Sequence, residues 1–305
     1  MGFFTSFSNM STVLFAIAAG FLAHKLGIMS DEVNRKTTKL LLTITMPCMI
    51  LGSLSTGEEL PELRVVLGIL ETAVVFYGME FLLAVFLPRL LGGSPLQRSV
   101  WRFALCFPNV GFIGIPVCVA FFGPEAMIYA VILILPFNLL SYSLGPLILS
   151  GGFQHFKLRE LLSPAVVSSL IALVMTLARI RPPQLVGDWL NFVGDITTPL
   201  SLIVIGSLLA DMPIREALAS PRLWLVAALR LLALPVLLYL LLQPLHLSQI
   251  VVNVAVLQIA MPVAANGSML AMEYNGDVRT MARITFLTTF CSMVTVPLLA
   301  STLLS

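Results

Sequence analysis

Charge is nearly missing from this chain. Only 10% of its 305 residues are Asp, Glu, Lys or Arg, against 58% hydrophobic, and the mean hydropathy is +1.00. No soluble globular domain of this length approaches that balance, so the composition implies a polytopic membrane protein. Reaction motifs are missing too. There is no P-loop, no His-Glu-x-x-His and no Gly-x-Ser-x-Gly, which removes support for ATP-driven transport and for common hydrolase chemistry, and no enzyme is expected. Histidine is scarce: His24, His155 and His246 fall at span ends or in loops and suggest no metal site. The four cysteines, Cys48, Cys106, Cys118 and Cys291, have no ligand spacing and read as buried reduced thiols, so no metal or cofactor is expected. A net charge of +2, with its basic residues in short loops, gives no footprint for nucleic acid.

What is present is apolar runs. A membrane-spanning helix needs about 20 mostly apolar residues, and the chain divides into roughly ten such segments: 9–27, 37–55, 65–88, 99–122, 126–149, 163–180, 187–209, 222–243, 249–273 and 281–303. The first has no basic n-region before it and no small-residue cleavage site after it, and is expected to be a span rather than a signal peptide. Loops after odd-numbered spans carry most of the basic residues, among them Lys25, Arg35, Lys36, Lys39, Arg89, Arg98 and Arg102. The opposite loops hold only Arg64, Arg179 and Arg181. By the positive-inside rule both termini are expected outside, and the lipid bilayer is the first partner.

Two of the spans contain residues that fit an unbroken membrane helix poorly. Span four holds Pro108, Asn109, Gly111, Gly114 and Pro116; span nine holds Pro262, Asn266 and Gly267. At membrane depth a backbone leaves helical pairing only where protein or a water-filled cavity satisfies its freed N–H and C=O groups. Both spans therefore read as broken helices facing a site. They also occupy corresponding places in an internal repeat. Thr43-Ile44-Thr45-Met46-Pro47 and then Gly52-Ser53-Leu54 match Asp195-Ile196-Thr197-Thr198-Pro199 and then Gly206-Ser207-Leu208, while Phe107-Pro108 matches Met261-Pro262. Five spans per half make the second half inverted. The expected architecture is all-α, with ten transmembrane helices in two inverted five-helix repeats, 1–149 and 163–305.

At the two broken spans the sequence resembles the auxin efflux carrier family, which includes plant auxin exporters and bacterial permeases for malonate, malate and similar acids. Asn109-Val110-Gly111-Phe112-Ile113-Gly114-Ile115-Pro116 and Gln258 through Gly267, running on to Glu273-Tyr274, carry the resemblance. It implies a scaffold of spans one, two, six and seven and a mobile transport domain of spans three to five and eight to ten. It also implies that spans four and nine cross where both unwind, with the substrate beside the crossover. Carried over by position, the crossover falls at Pro116 and at about Asn266-Gly267. Plant members have a second proline where this chain has Gly267, and their long cytoplasmic loop is missing, which points to a bacterial-type member in the cell membrane. A homodimer formed through the scaffold is implied by the resemblance alone.

Helix N-termini attract anions through unpaired N–H groups and partial positive charge. The half-helices restarting in the two breaks favour a carboxylate, and Asn109 and Asn266 add neutral donors, or merely cap the broken ends. Gly114, Pro116, Pro262 and Gly267 complete the expected substrate site, the glycines being better suited to permitting close helix approach than to touching substrate. Charged groups inside spans default to functional candidates. Arg230 and Glu80 lie at matching depths, roughly 13 Å from the cytoplasmic side at 1.5 Å per residue, and are expected to pair. Protonation of Glu80, or cation binding there, would then release Arg230 to an anionic substrate; a static ion pair is the competing reading. Glu71 and Asp195 are further candidates for a coupling site. Thr285, Thr288, Thr289, Ser292 and Thr295 form a polar stripe along span ten, more suited to hydrogen bonding between helices than to a substrate path. The expected function is secondary transport of a small organic anion, a mono- or dicarboxylate or an auxin-like acid, by alternating access, with H⁺ or Na⁺ as the coupling ion. A sodium-coupled carrier of the bile acid symporter type, which would need an oxygen cage from Gln258, Asn109 and Glu273, is the alternative within transport; a channel or sensor is the alternative outside it.

Overall fold

The computed structural model describes residues 15–55, 60–150, 164–210, 218 and 220–304. Every regular element among them is helical. In chain order these are α1 (Phe15–Lys25), α2 (Asp31–Ser55), α3 (Leu63–Leu91), α4 (Pro95–Cys106), α5 (Val110–Phe122), α6 (Ala126–Ser150), α7 (Pro164–Leu177), α8 (Gln184–Gly194), α9 (Thr197–Ala210), α10 (Pro221–Leu245), α11 (Gln249–Ile259), α12 (Asn266–Glu273) and α13 (Val278–Leu303). α2, α3, α8 with α9, α10 and α13 are each long and apolar enough to cross a membrane. Leu67, Val74, Leu82, Leu90 and Phe192 are exposed, the pattern of a helical bundle whose solvent is lipid rather than water.

Three of these helices widen at the same distance before a proline. π-turns run over Leu41–Thr45, Val110–Gly114 and Leu229–Ala233, each starting six residues before Pro47, Pro116 or Pro235. Proline has no N–H, and its ring collides with the carbonyl four residues back; the wider turn opens room for that carbonyl and for the ring. In α5 the carbonyl so freed belongs to Phe112. The Ser201 hydroxyl of α9 lies 3.2 Å from it and 2.9 Å from Thr198 O, so one donor is shared between the two.

Small residues let several helices meet backbone to backbone. A side chain on Gly20 would collide with the Ile203 carbonyl of α9, and one on Gly206 with the Ile17 carbonyl of α1, so α1 and α9 hold each other through a glycine from each. Gly194, at the end of α8, sits close on the backbone of Met49 in α2, where a Cβ would come 2.7 Å from the Met49 Cα. Polar ends lock the first contact. His24 Nδ1 lies 3.1 Å from Ser207 Oγ, and Lys25 Nζ donates to Ala210 O at 3.0 Å, covering the carbonyl end of α9 with a cation.

Candidate functional site at the crossing of two broken helices

α4 starts with a capping box: Ser94 Oγ accepts from the Gln97 N–H, and Gln97 Oε1 accepts from the Ser94 N–H, both at 3.2 Å. The helix stops at Cys106 because Phe107 is extended and Pro108 has no N–H to continue the ladder. Asn109 then starts the next helix. Its Oδ1 accepts the Phe112 N–H at 3.2 Å, which covers one of the orphan donors at the N-terminus of α5. The other broken segment behaves alike. α11 ends at Ile259, residues 260–265 are not helical, and α12 restarts at Asn266.

The two gaps pair with each other. Asn109 N donates to Pro262 O at 2.7 Å and Ala264 N donates to Phe107 O at 2.9 Å, making a short antiparallel bridge between Pro108 and Val263. Each unwound backbone therefore supplies part of what the other lost, which is what an apolar surrounding requires. A third bond comes from α13, where Thr288 Oγ1 accepts from Val263 N at 3.1 Å and donates back to the carbonyls of its own helix. Thr289 and Ser292 likewise bond within α13. The polar stripe thus works mainly inside its helix and, at Thr288, between helices.

The crossing lies earlier in both segments than the family resemblance implies. It falls at Phe107–Asn109 and Pro262–Ala264, whereas Pro116 lies within α5, where the preceding π-turn absorbs it. A proline near the start of a helical run costs no ladder bond that the wider turn has not already given up. Gly267 is likewise inside α12 rather than at the break. Its Cα faces the Phe103 ring and Met281, so a Cβ there would lie 2.6 Å from a ring carbon. Gly267 permits close packing. Asn266, the first residue of α12, is half-buried with its Oδ1 unpartnered, and the cap residue Ala265 has no side chain able to bond.

Glu80 and Arg230 meet, as their depths suggest. Both side chains are 0% exposed, and Arg230 Nη1 donates to Glu80 Oε1. The rest of the guanidinium has partners that residue types and spacing do not reveal. Nη1 also donates to Leu105 O at 3.0 Å, Nη2 to Ile259 O at 2.8 Å and Nε to Met261 O at 3.4 Å. One cation therefore holds the carbonyl ends of both first half-helices, α4 and α11. Those ends carry the orphan acceptors and the partial negative charge of each helix, and the planar five-donor fork of arginine suits several acceptors at once. Glu80 Oε2 has no hydrogen-bond partner among the described residues.

The other acidic candidates lie apart from this cluster. Glu71 is exposed on the outer face of α3, and Asp195 is exposed in the two-residue turn between α8 and α9. Gln258 is more informative. It is 0% exposed, its Oε1 and Nε2 make no close hydrogen bond among the described residues beyond the weak approach of the Cys118 thiol, and the amide packs against Gly114, where a Cβ would come 2.5 Å from Oε1. A buried amide so weakly satisfied is costly. Its position one turn before the Met261-Pro262 break was the available sequence signal. The side chain of Glu273 lies outside the described residues.

With this geometry in view, comparison with known proteins assigns the chain. A family profile described as "Membrane transport protein" matches residues 5–153 and 147–300. The chain belongs to the membrane transport protein family. This is the family of the auxin efflux carriers that the Asn109–Pro116 and Gln258–Gly267 motifs resemble. It is similar to an uncharacterized transporter of Methanothermobacter thermautotrophicus, 25% identical over 98% of each chain. An uncharacterized transporter of Methanocaldococcus jannaschii is 22% identical over 94% of this chain and 95% of its own. A Rhizobium meliloti protein provisionally named a malonate transporter is 21% identical over 92% and 90%. The chain is thus a multi-pass membrane transporter, built of helices, that acts on a small molecule in a lipid setting.

Proposed function

We propose that this transporter carries a small organic anion, a mono- or dicarboxylate of the size of malonate or malate, by alternating access. The observation that carries the reading is the pairing of Phe107–Asn109 with Pro262–Ala264. It brings the starts of α5 and α12 together at membrane depth, where their N–H groups and partial positive charge favour a carboxylate. Asn109 spends its Oδ1 on the cap and has its amide nitrogen for the ligand; Asn266 adds an Oδ1 with no partner among the described residues, and Gln258 adds a buried amide whose neighbour is the Cys118 thiol. Gly114 lets the Gln258 amide pack against the α5 backbone, Pro116 shapes α5 through the π-turn before it, and Pro262 holds its segment out of regular helix. Gly267 shapes the approach of α12. Arg230 acts on the anion through its charge, from behind the crossing.

In the same reading α1, α2 and α7 to α9 are the scaffold and the remaining helices move against it. The reciprocal glycine contacts of α1 with α9, and that of α8 with α2, support a rigid scaffold, and the Ser201–Phe112 hydrogen bond lies on the surface that would slide. Two inverted halves, 1–149 and 163–305, and a dimer through the scaffold complete the proposal. Counterflow in proteoliposomes tests it. Radiolabelled malonate or malate should enter saturably and faster with unlabelled substrate on the far side. A conductance that does not saturate would point to a channel instead, and a chemically altered product to an enzyme.

A further inference from the structure

We propose that Glu80 is the site of a transported proton, linked to the anion through the charge of an Arg230 that stays in place. This rests on the anion-carrier reading above and specifies its driving ion. The argument begins with what holds Arg230. Three of its hydrogen bonds go to the backbone carbonyls of Leu105, Ile259 and Met261, so losing the bond to Glu80 leaves it anchored at the ends of α4 and α11. It does not need to swing toward a ligand. Instead, the charge at the crossing changes.

With Glu80 ionised, the pair is neutral and the crossing offers an anion only the half-helix N-termini and amides. A proton from bulk water, forming an O–H bond at Oε2 or Oε1, cancels the carboxylate and leaves the guanidinium uncompensated beside the crossing. An anion then binds a site of net charge plus one. Electrostatics inside a low-dielectric protein make that difference large. Reciprocity follows, because a proton that favours the anion is favoured by it to the same factor. Release of the anion on the far side restores the ion pair and returns the proton to water. One proton therefore moves with each anion, in the same direction. Oε2 is the open position: it is buried and unpartnered, while Oε1 receives the guanidinium. Arg230 is the charged group that faces Glu80 among the described residues. The other titratable groups beside it are Tyr77, whose hydroxyl donates to Leu133 O at 3.1 Å, and Cys106, whose thiol faces the backbone carbonyl of Glu80 at 4.0 Å. Neither hydrogen bond reaches the carboxylate.

The test uses purified full-length protein and malonate, above neutral pH where malonate itself no longer titrates. For the wild type, the apparent affinity should fall with rising pH by up to about tenfold per pH unit, the limit for one linked proton. A pH gradient, acid on the side of added malonate, should drive its accumulation in proteoliposomes. Glu80→Gln fixes the neutral form; its affinity should stay flat with pH, and it should exchange malonate without accumulating it. A wild-type pH slope or gradient-driven accumulation retained in Glu80→Gln overturns the proposal. Malonate exchange by the wild type with no pH dependence overturns the linkage and leaves the carrier reading standing; absence of any carboxylate binding or exchange overturns both. Should Glu80→Gln fail to fold, a pH-indicator dye in weakly buffered wild-type protein decides: proton uptake on adding malonate supports the linkage, and no uptake contradicts it.

Discussion

Asn109 gives its backbone N–H to the carbonyl of Pro262, at 2.7 Å and across 153 positions of sequence. That bond, with its mate from Ala264 to Phe107, converts two helix defects into one joint. Asn109 also caps α5 through Oδ1. Asn109→Ala should therefore cost about 1 kcal/mol of stability for the lost cap and far more in ligand binding. Asn109→Asp, which keeps the cap and adds a negative charge, should preserve thermal stability better than Ala while still abolishing anion binding. Thermal unfolding with and without malonate separates the two effects, since a ligand that binds only the folded state raises the transition temperature.

Arg230→Met should be severely destabilising. It removes the cation paired with a fully buried carboxylate and uncovers the carbonyls of Leu105, Ile259 and Met261; breaking a buried pair from one side costs about 3–5 kcal/mol. Arg230→Lys should recover part of that, because an ammonium restores charge but cannot reach the ends of two helices and the Met261 carbonyl in the break at once. The double variant Arg230→Met with Glu80→Gln should unfold at a higher temperature than Arg230→Met alone. If it does not, the carboxylate is not what makes the single change costly.

Gly206→Ala and Gly20→Ala should each separate α1 from α9, since the added Cβ meets a backbone carbonyl that cannot rotate away. Each should lower the transition temperature clearly, whereas Gly78→Ala, with open space around its Cα, should leave it near the wild-type value or raise it through better helix propensity.

Gly114→Ala should displace the Gln258 amide, which occupies the volume a Cβ needs. Gln258→Leu removes a buried amide whose only near partner among the described residues is the weakly bonding Cys118 thiol and should stabilise the unliganded protein, or leave it unchanged, while weakening malonate binding. A matched loss of stability would instead assign the amide to a structural hydrogen bond.

Much of this was legible in the sequence because membrane folding imposes strict local rules. The apolar runs fell on helices, although α2 begins at Asp31 rather than 37 and the start of the first run lies outside the described residues, and proline with glycine inside such runs marked both breaks. Equal depth in lipid was enough to pair Glu80 with Arg230. The sequence could not show where, within a proline-rich stretch, the backbone leaves the helix. Pro108 ends α4 because Phe107 is extended, while Pro116 is absorbed by a π-turn, and the difference depends on which partner, Pro262 or Ser201, receives the freed groups. Nor could spacing reveal that Arg230 reaches three carbonyls, because those acceptors are backbone atoms with no residue signature. Glu71 and Asp195 look like Glu80 in one dimension and differ only in the face they occupy: both are exposed, and Glu80 is not.

The central claim is that the paired breaks bind the transported anion. Malonate counterflow in proteoliposomes, comparing wild type with Asn109→Ala at matched amounts of folded protein, tests it most directly. The account predicts saturable, trans-stimulated malonate exchange by the wild type and its loss in Asn109→Ala. Exchange at the wild-type rate and affinity in Asn109→Ala would contradict it.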